Sequence, residues 1–270
     1  MKIDSEKTAR YFLELSSEQR LSILTHLAEN NLNLSKLADL LNATKSEVHR
    51  NVNRLLKAQL IQKEPGGNFQ LTVYGRAILT QIPSLCFVPD NQQYFSTHNM
   101  SNLENRFIQS IGSLYEKKQI KGLGKVLEKW EKIHENADVF VYDILSEVPY
   151  YSDIIDVISS KLENKVEFRS IFSEKTEIPE DRELIFQKKD FKKYVNNGQL
   201  ERRIMKGVTH VVFVTDKEGA IFFPNEENEP DLNVMFTSTN PEFRNWCLDY
   251  FEWCWKNSTS FQESKFKKNR

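Results

Sequence analysis

A chain of 270 residues with 39% hydrophobic and 11% aromatic residues has material for two compact domains of ordinary size. A formal net charge of −1 excludes a polycation that coats nucleic acid in bulk. No apolar run reaches the length of a membrane span, and the start, MKIDSEKTARYF, lacks a signal-peptide core. The three cysteines, Cys86, Cys247 and Cys254, form no CxxC unit, and the five histidines show no ligand spacing. The expectation is a cytoplasmic protein without disulfides, bound metal or cofactor.

Three short helical patterns come first. Leu21, Leu24, Leu27 and Ala28 fall at helical spacing, with Ser17 placed to cap the start and Arg20 near the first turn. Leu34, Leu37, Ala38 and Leu41 form a second stripe, capped by Asn33 or Ser35. Asn42-Ala43 has room only for a tight turn. Thr44 followed by Glu47 is a capping-box pattern for a third helix, in which Val48, Val52, Leu55 and Leu56 face inward. Its other face shows Lys45, Ser46, His49, Arg50, Asn53 and Arg54, long or hydrogen-bonding side chains suited to phosphates and base edges. Leu60 to Lys63 reads as a strand, Gly66-Gly67 as a turn and Phe69-Leu71-Val73 as the returning strand, which places Lys63 and Asn68 on a wing. The order of elements is that of a winged helix-turn-helix on double-stranded DNA. Residues 1 to 82 hold eleven Lys and Arg against eight Asp and Glu, so this region is locally basic in a near-neutral chain.

Tyr74, Ala77, Ile78 and Ile82 continue into a helix that Pro83 is expected to end, and Pro89-Asp90-Asn91 marks a loop. Residues 83–136 read as a connecting, dimer-forming helical segment, with one stripe at Leu103, Phe107, Ile111 and Leu114 and another over Gly122 to Ile133. The first stripe is equally consistent with packing on its own domain.

Beyond residue 136, strands and helices alternate. ADVFVYDIL (137–145), a helix over 150–164 and KVEFRSIF (165–172) make a βαβ unit with a parallel pair. A polar helix over 183–198 ends at Gly198. QLERRIM, THVVFVTD, GAIFFP and LNVMFTST are further strands, with Lys217-Glu218-Gly219 as a hairpin turn. Asn240-Pro241 starts an aromatic closing helix whose Cys247 and Cys254 read as buried thiols, and residues 261–270 read as a basic tail. The fold class is therefore α+β: a winged head at 1–82, then a mixed α/β sensor domain at 137–260. An α/β sensor places its pocket at strand ends, here Tyr142-Asp143, Tyr150 and Thr215-Asp216, a set suited to a small polar or cationic effector. Asp143, Glu147, Asp153 and Asp156 gather near one strand end, where acidic side chains ordinarily serve solvation.

These pieces resemble archaeal winged-helix transcriptional regulators of the ArsR-like and TrmB-like groups. The likeness is greatest to those carrying the effector region of the methanogenesis regulatory protein family. TKSEVHRNVNRLLKAQLI and GGNFQLTVYGRAIL resemble the reading head, FSTHNMSNLENRFIQSIGSL the linker motif, and FTSTNPEFRNWCLDYFEWCWKNS the closing strand and helix. Asn99 stands where that family has Asp, and Glu104 replaces a common proline. The resemblance implies a phospholipase-D-like effector fold. A catalyst on that fold needs H-x-K, and none of His26, His49, His98, His134 or His210 has lysine two residues on, so no enzyme is expected. The expected function is a sequence-specific, homodimeric transcription factor with a signal-sensing second domain. The alternative is a DNA-bound architectural protein whose second domain binds a protein.

Overall fold

The computed structural model describes residues 4–146, 152–176 and 189–261. They fall into two compact units, residues 1–82 and 83–270. The architecture is α+β: a helical N-terminal unit with a small hairpin, and a second unit built on a large mixed sheet.

In the first unit, α1 (Ser5–Leu15), α2 (Glu18–Glu29), α3 (Leu34–Leu40) and α4 (Lys45–Lys57) precede the hairpin β1 (Ile61–Lys63) and β2 (Phe69–Leu71). The stripes of α2, α3 and α4 meet in one core, where Ile23, Leu24, Leu37, Val48 and Leu55 are fully buried. Asn33 rather than Ser35 caps α3, its side chain accepting from the Lys36 amide at 2.9 Å. Ser17 sits at the α2 N-cap but makes no side-chain capping bond. Arg20 is buried and donates to the carbonyls of Leu13 and Glu14, so it ties α2 to the end of α1. Asn42 takes a positive φ of 48° in the α3–α4 turn, and Gly67 takes 84° in the wing. Leu32 adds a β-bridge to Phe69, extending the wing by a third short segment.

Helix α5 (Val73–Asp90) runs through Pro83 instead of stopping there. An internal proline costs about 3 kcal/mol in a helix. Tertiary packing over the following turns outweighs it: Phe87 is fully buried, and Ser84 Oγ donates to the Gln109 carbonyl while accepting from the Gly112 amide. The Pro89-Asp90 end of this helix leads into α6 (Gln92–Phe95).

Residues 83–136 are not a connector but part of the second unit. Leu103, Phe107, Ile111 and Leu114 are all buried in its core, across α7 (Asn105–Gln109) and a 3-10 turn (Ile111–Leu114). That stripe is consumed internally and is not free to pair protomers. Strand β3 (Lys118–Lys121) and helix α8 (Leu123–Glu135) follow.

The eight-stranded sheet adds β4 (Phe140–Leu145), β5 (Glu167–Ser173), β6 (Leu200–Met205), β7 (Val211–Thr215), β8 (Gly219–Phe222), β9 (Val234–Ser238) and β10 (Thr259–Ser260), in the order β10-β6-β5-β4-β7-β8-β9-β3. The β4–α9–β5 unit, with α9 at Ser152–Glu163, has the expected parallel pairing, and β5–β6 is parallel too. The other pairs are antiparallel, including the β7–β8 hairpin. Helices α8 and α9 cover one face. The aromatic helix α11 (Pro241–Lys256), with α7 and the 3-10 turn, covers the other. Burial on both faces explains why β7 and β8 read as unbroken apolar runs. Of the helix expected over 183–198, the described part is α10 (Phe191–Asn196), and residues 177–188 lie outside the described set.

Candidate nucleic-acid interface

Helix α4 is fixed from both ends of its first turn. Thr44 Oγ1 accepts from the Glu47 amide at 3.3 Å, and the Glu47 carboxylate accepts from the Thr44 amide at 3.0 Å and the Thr44 hydroxyl at 2.8 Å. These bonds hold the Glu47 carboxyl below its ordinary value, led by the hydroxyl bond. The capping box orients a helix whose Val48, Val52 and Leu55 are buried. The opposite side leaves Lys45, Ser46, His49 and Arg50 exposed, with Asn53 half-buried. Asn53 Nδ2 lies 3.3 Å from His49 Nε2, so these two polar side chains form one patch. Among the described residues, Lys45 and Arg50 are in no ion pair.

Arg54 differs from the rest of this stripe. Its guanidinium grips Glu14 of α1 bidentately, Nε to Oε2 at 2.9 Å and Nη2 to Oε1 at 2.7 Å. Glu14 also meets Arg20 at 3.0 Å. The Arg54 hydrogen bond is the main cause that lowers the Glu14 carboxyl, against the opposing effect of burial. Arg54 therefore fastens α1 to α4 and is not a free DNA contact. Sequence reading missed α1 altogether, although Asp4 followed by SEKTARYFLEL carries its signal. Asp4 caps the helix by accepting from the Lys7 amide. On the wing, Lys63 is exposed, its Nζ 6.0 Å from the Phe69 ring centroid, and Asn68 closes the turn by accepting from the Glu64 amide.

The strand-end set of the second unit does not converge. Tyr142 and Asp143 are successive in β4 and point to opposite faces. The Tyr142 ring stacks on Phe251, and its hydroxyl donates to Glu167. Burial pushes that phenol up to about 12. Asp143 is buried beneath α8, 3.9 Å from His134 Nε2. Thr215 Oγ1 accepts from the amides of Lys217 and Glu218, and Asp216 accepts from those of Asp138 and Val139, so both groups brace the sheet's own turns. Tyr150 lies outside the described residues, as do Glu147 and the Asp153 side chain. Cys247 and Cys254 are buried, and burial raises the Cys254 thiol to about 12. They are packing groups, not reactive thiols.

The loop motif around His98 is a built anchor. His98 Nε2 lies 3.0 Å from Asp231, Nδ1 lies 2.9 Å from the Tyr94 carbonyl, and the ring stacks on Tyr94. Asn99 donates to the Asn225 carbonyl and accepts from the Ser101 amide. Burial would raise the Asp231 carboxyl, but bonds from Asn233 and His98 outweigh it and hold it low. Asn99 thus does structural work at a position where the resembled family has Asp.

Residues 10–89 match the model of a family described as the HVO_A0261 N-terminal domain, a span below half of the chain. No curated protein matches the sequence. Among solved structures, the chain is similar to TrmBL2, described as an archaeal chromatin protein with a novel mode of DNA binding. The TM-score is 0.42 and the identity 11%, over 88% of this chain and 91% of that one. Nuc from Salmonella typhimurium, a phospholipase D family member, aligns at TM-score 0.40 and 12% identity over 55% of this chain and all of its own. NucT from Helicobacter pylori aligns at 0.39 and 13%, over 54% of this chain and 99% of its own. These three likenesses are loose and carry no conclusion about function. No helix of the described residues is long and apolar enough to cross a membrane, and no metal-binding cluster occurs among them.

Proposed function

We propose that the chain is a sequence-specific DNA-binding transcriptional regulator of the TrmB-like kind, with α4 as the recognition helix. The observation that carries this is the division of α4. One face is buried on α2 and α3, and the other presents Lys45, Ser46, His49, Arg50 and Asn53, which form no ion pairs among the described residues. A capped helix following a tight turn and followed by a wing has the geometry that enters a major groove. The family-model match over residues 10–89 supports the same region as a transferable unit.

The regulator acts as a symmetric homodimer, because one helix reads only a few base pairs. Two heads on a pseudo-palindrome raise affinity above the roughly 10⁻⁴–10⁻⁶ M of non-specific binding. The second unit receives the signal. Capture of genomic fragments by the purified full chain, followed by footprinting, tests the reading. A protected two-fold site is the expected result, and uniform capture of all fragments would refute sequence-specific binding.

A further inference from the structure

The first unit carries a concave surface that the recognition face does not use. An open groove of about 950 Å³ lies where α1, the end of α4 and the start of α5 meet. Its apolar wall is formed by Tyr11, Leu13, Leu60, Tyr74 and Ile78. Tyr11 and Leu13 are 50% and 54% exposed, so their apolar surface faces water. Helix α1 buries none of its residues fully, which leaves this wall open to a ligand.

The charge of the groove is one-sided. Arg10, Arg54 and Lys57 line it against the single carboxylate Glu14. Glu14 is already compensated by Arg54 and Arg20. Arg10 is engaged by Glu6. Lys57 is exposed and forms no ion pair among the described residues. The groove therefore offers an apolar, aromatic wall beside a surplus of positive charge. Its size fits the roughly 300–1,000 Å³ of small-molecule sites.

We propose that this groove binds a small organic anion with an apolar or aromatic body. Its ring or chain lies on Tyr11, Leu13 and Tyr74, and its acidic group meets Lys57. Arg54 also lines the groove, so the bound anion competes with Glu14 for that guanidinium and loosens the tie between α1 and α4. An effect on DNA affinity rests on the function proposed above, whereas the binding itself does not.

The test uses the full chain and 8-anilinonaphthalene-1-sulfonate, an aromatic anion, with the neutral dye Nile red as a control. Three exposed positions, Lys57→Glu, Tyr11→Ala and Leu13→Glu, are substituted, and circular dichroism confirms the fold of each. The expected result is saturable binding of one anion per chain, weakened about tenfold by Lys57→Glu, which corresponds to about 1.4 kcal/mol. Tyr11→Ala or Leu13→Glu should weaken it as well, and Nile red should be indifferent to Lys57→Glu. Anion binding unchanged by Lys57→Glu would overturn the proposal. So would anion binding that disappears as protein concentration rises while light scattering reports a dimer, because the groove would then be covered by a second copy. A further titration in the presence of captured DNA separates the two claims. Anion binding without any change in DNA affinity would leave the site standing and remove only its coupling to the recognition helix.

Discussion

Replacing Arg50 by alanine separates reading from folding in this head. Its side chain is exposed, and among the described residues it makes no ion pair. The fold should lose little, within about 0.5 kcal/mol for a surface change of this kind. If Arg50 meets a base edge, the loss on the specific site should be about 1–3 kcal/mol, or roughly 5- to 150-fold in affinity. Affinity for a scrambled site should fall far less. Fluorescence anisotropy at one fixed salt concentration measures both, and urea unfolding of the same sample measures stability. Arg54→Ala is the paired control. It removes the bidentate grip on Glu14, so its first effect should be a less stable head. Equal specific affinity for the wild type and the Arg50 variant would refute the assignment of the α4 face. A large loss of stability in that variant would show that the residue serves the fold.

Lys63→Gln on the wing should weaken binding to all sequences alike and flatten the slope of log K against log salt by about 0.9; a sequence-selective loss would contradict a phosphate contact. Gly75→Ala should destabilise the head by about 1–3 kcal/mol or more. A Cβ there would stand 1.9 Å from the Leu60 carbonyl oxygen, and an unchanged unfolding midpoint would show that the helix shifts freely. Glu14 has a lowered carboxyl, so its contribution to stability is complete above its ordinary value of 4.5 and is lost as pH falls through its depressed value. Glu14→Gln should therefore reduce stability at neutral pH and shrink the difference from wild type at acid pH, and a constant difference across the titration would contradict the ion pair. Hydrolysis of bis-p-nitrophenyl phosphate should be absent, since no histidine is followed two residues on by lysine; turnover abolished by one substitution in this chain would overturn that reading.

The head was legible because its signals are local. Thr44 and Glu47 lie three residues apart, and a single helical period separates Val48, Val52 and Leu55 from the polar face. The sheet strands were legible for a related reason: β7 and β8 are covered on both faces, and their apolar runs are continuous. Long-range packing hid the rest. Pro83 reads as a stop, and only the burial of Phe87 and the Ser84–Gln109–Gly112 bonds carry α5 past it. The stripe from Leu103 to Leu114 had no visible partner in sequence because its partner, Trp246 on α11, lies far downstream and donates to the Phe107 carbonyl at 3.2 Å. Alternation separates two of the strand-end residues, Tyr142 and Asp143. Neighbours in a strand face opposite ways, so Tyr142 and Asp143 never shared a surface.

Arg50 and Arg54 show where sequence spacing stops being informative. They lie one helical turn apart on the same stripe, and nothing local distinguishes them. The difference comes from a carboxylate forty residues upstream, on a helix with little apolar burial of its own. A bidentate guanidinium–carboxylate pair is directional and roughly twice as strong as a neutral hydrogen bond. The same Glu14 is held by the buried Arg20, which also binds the α1 carbonyls. Drawing Arg54 away would leave one carboxylate with a single partner and loosen α1. Helix α4 therefore divides its cations by partner: Lys45, Arg50 and Lys57 face outward, and Arg54 joins the helix to α1. Because that join lies in the wall of the groove beside Tyr11 and Lys57, a shift of α1 would reach the recognition helix through the Glu14–Arg54 pair as well as through α2, which Arg20 ties to the end of α1.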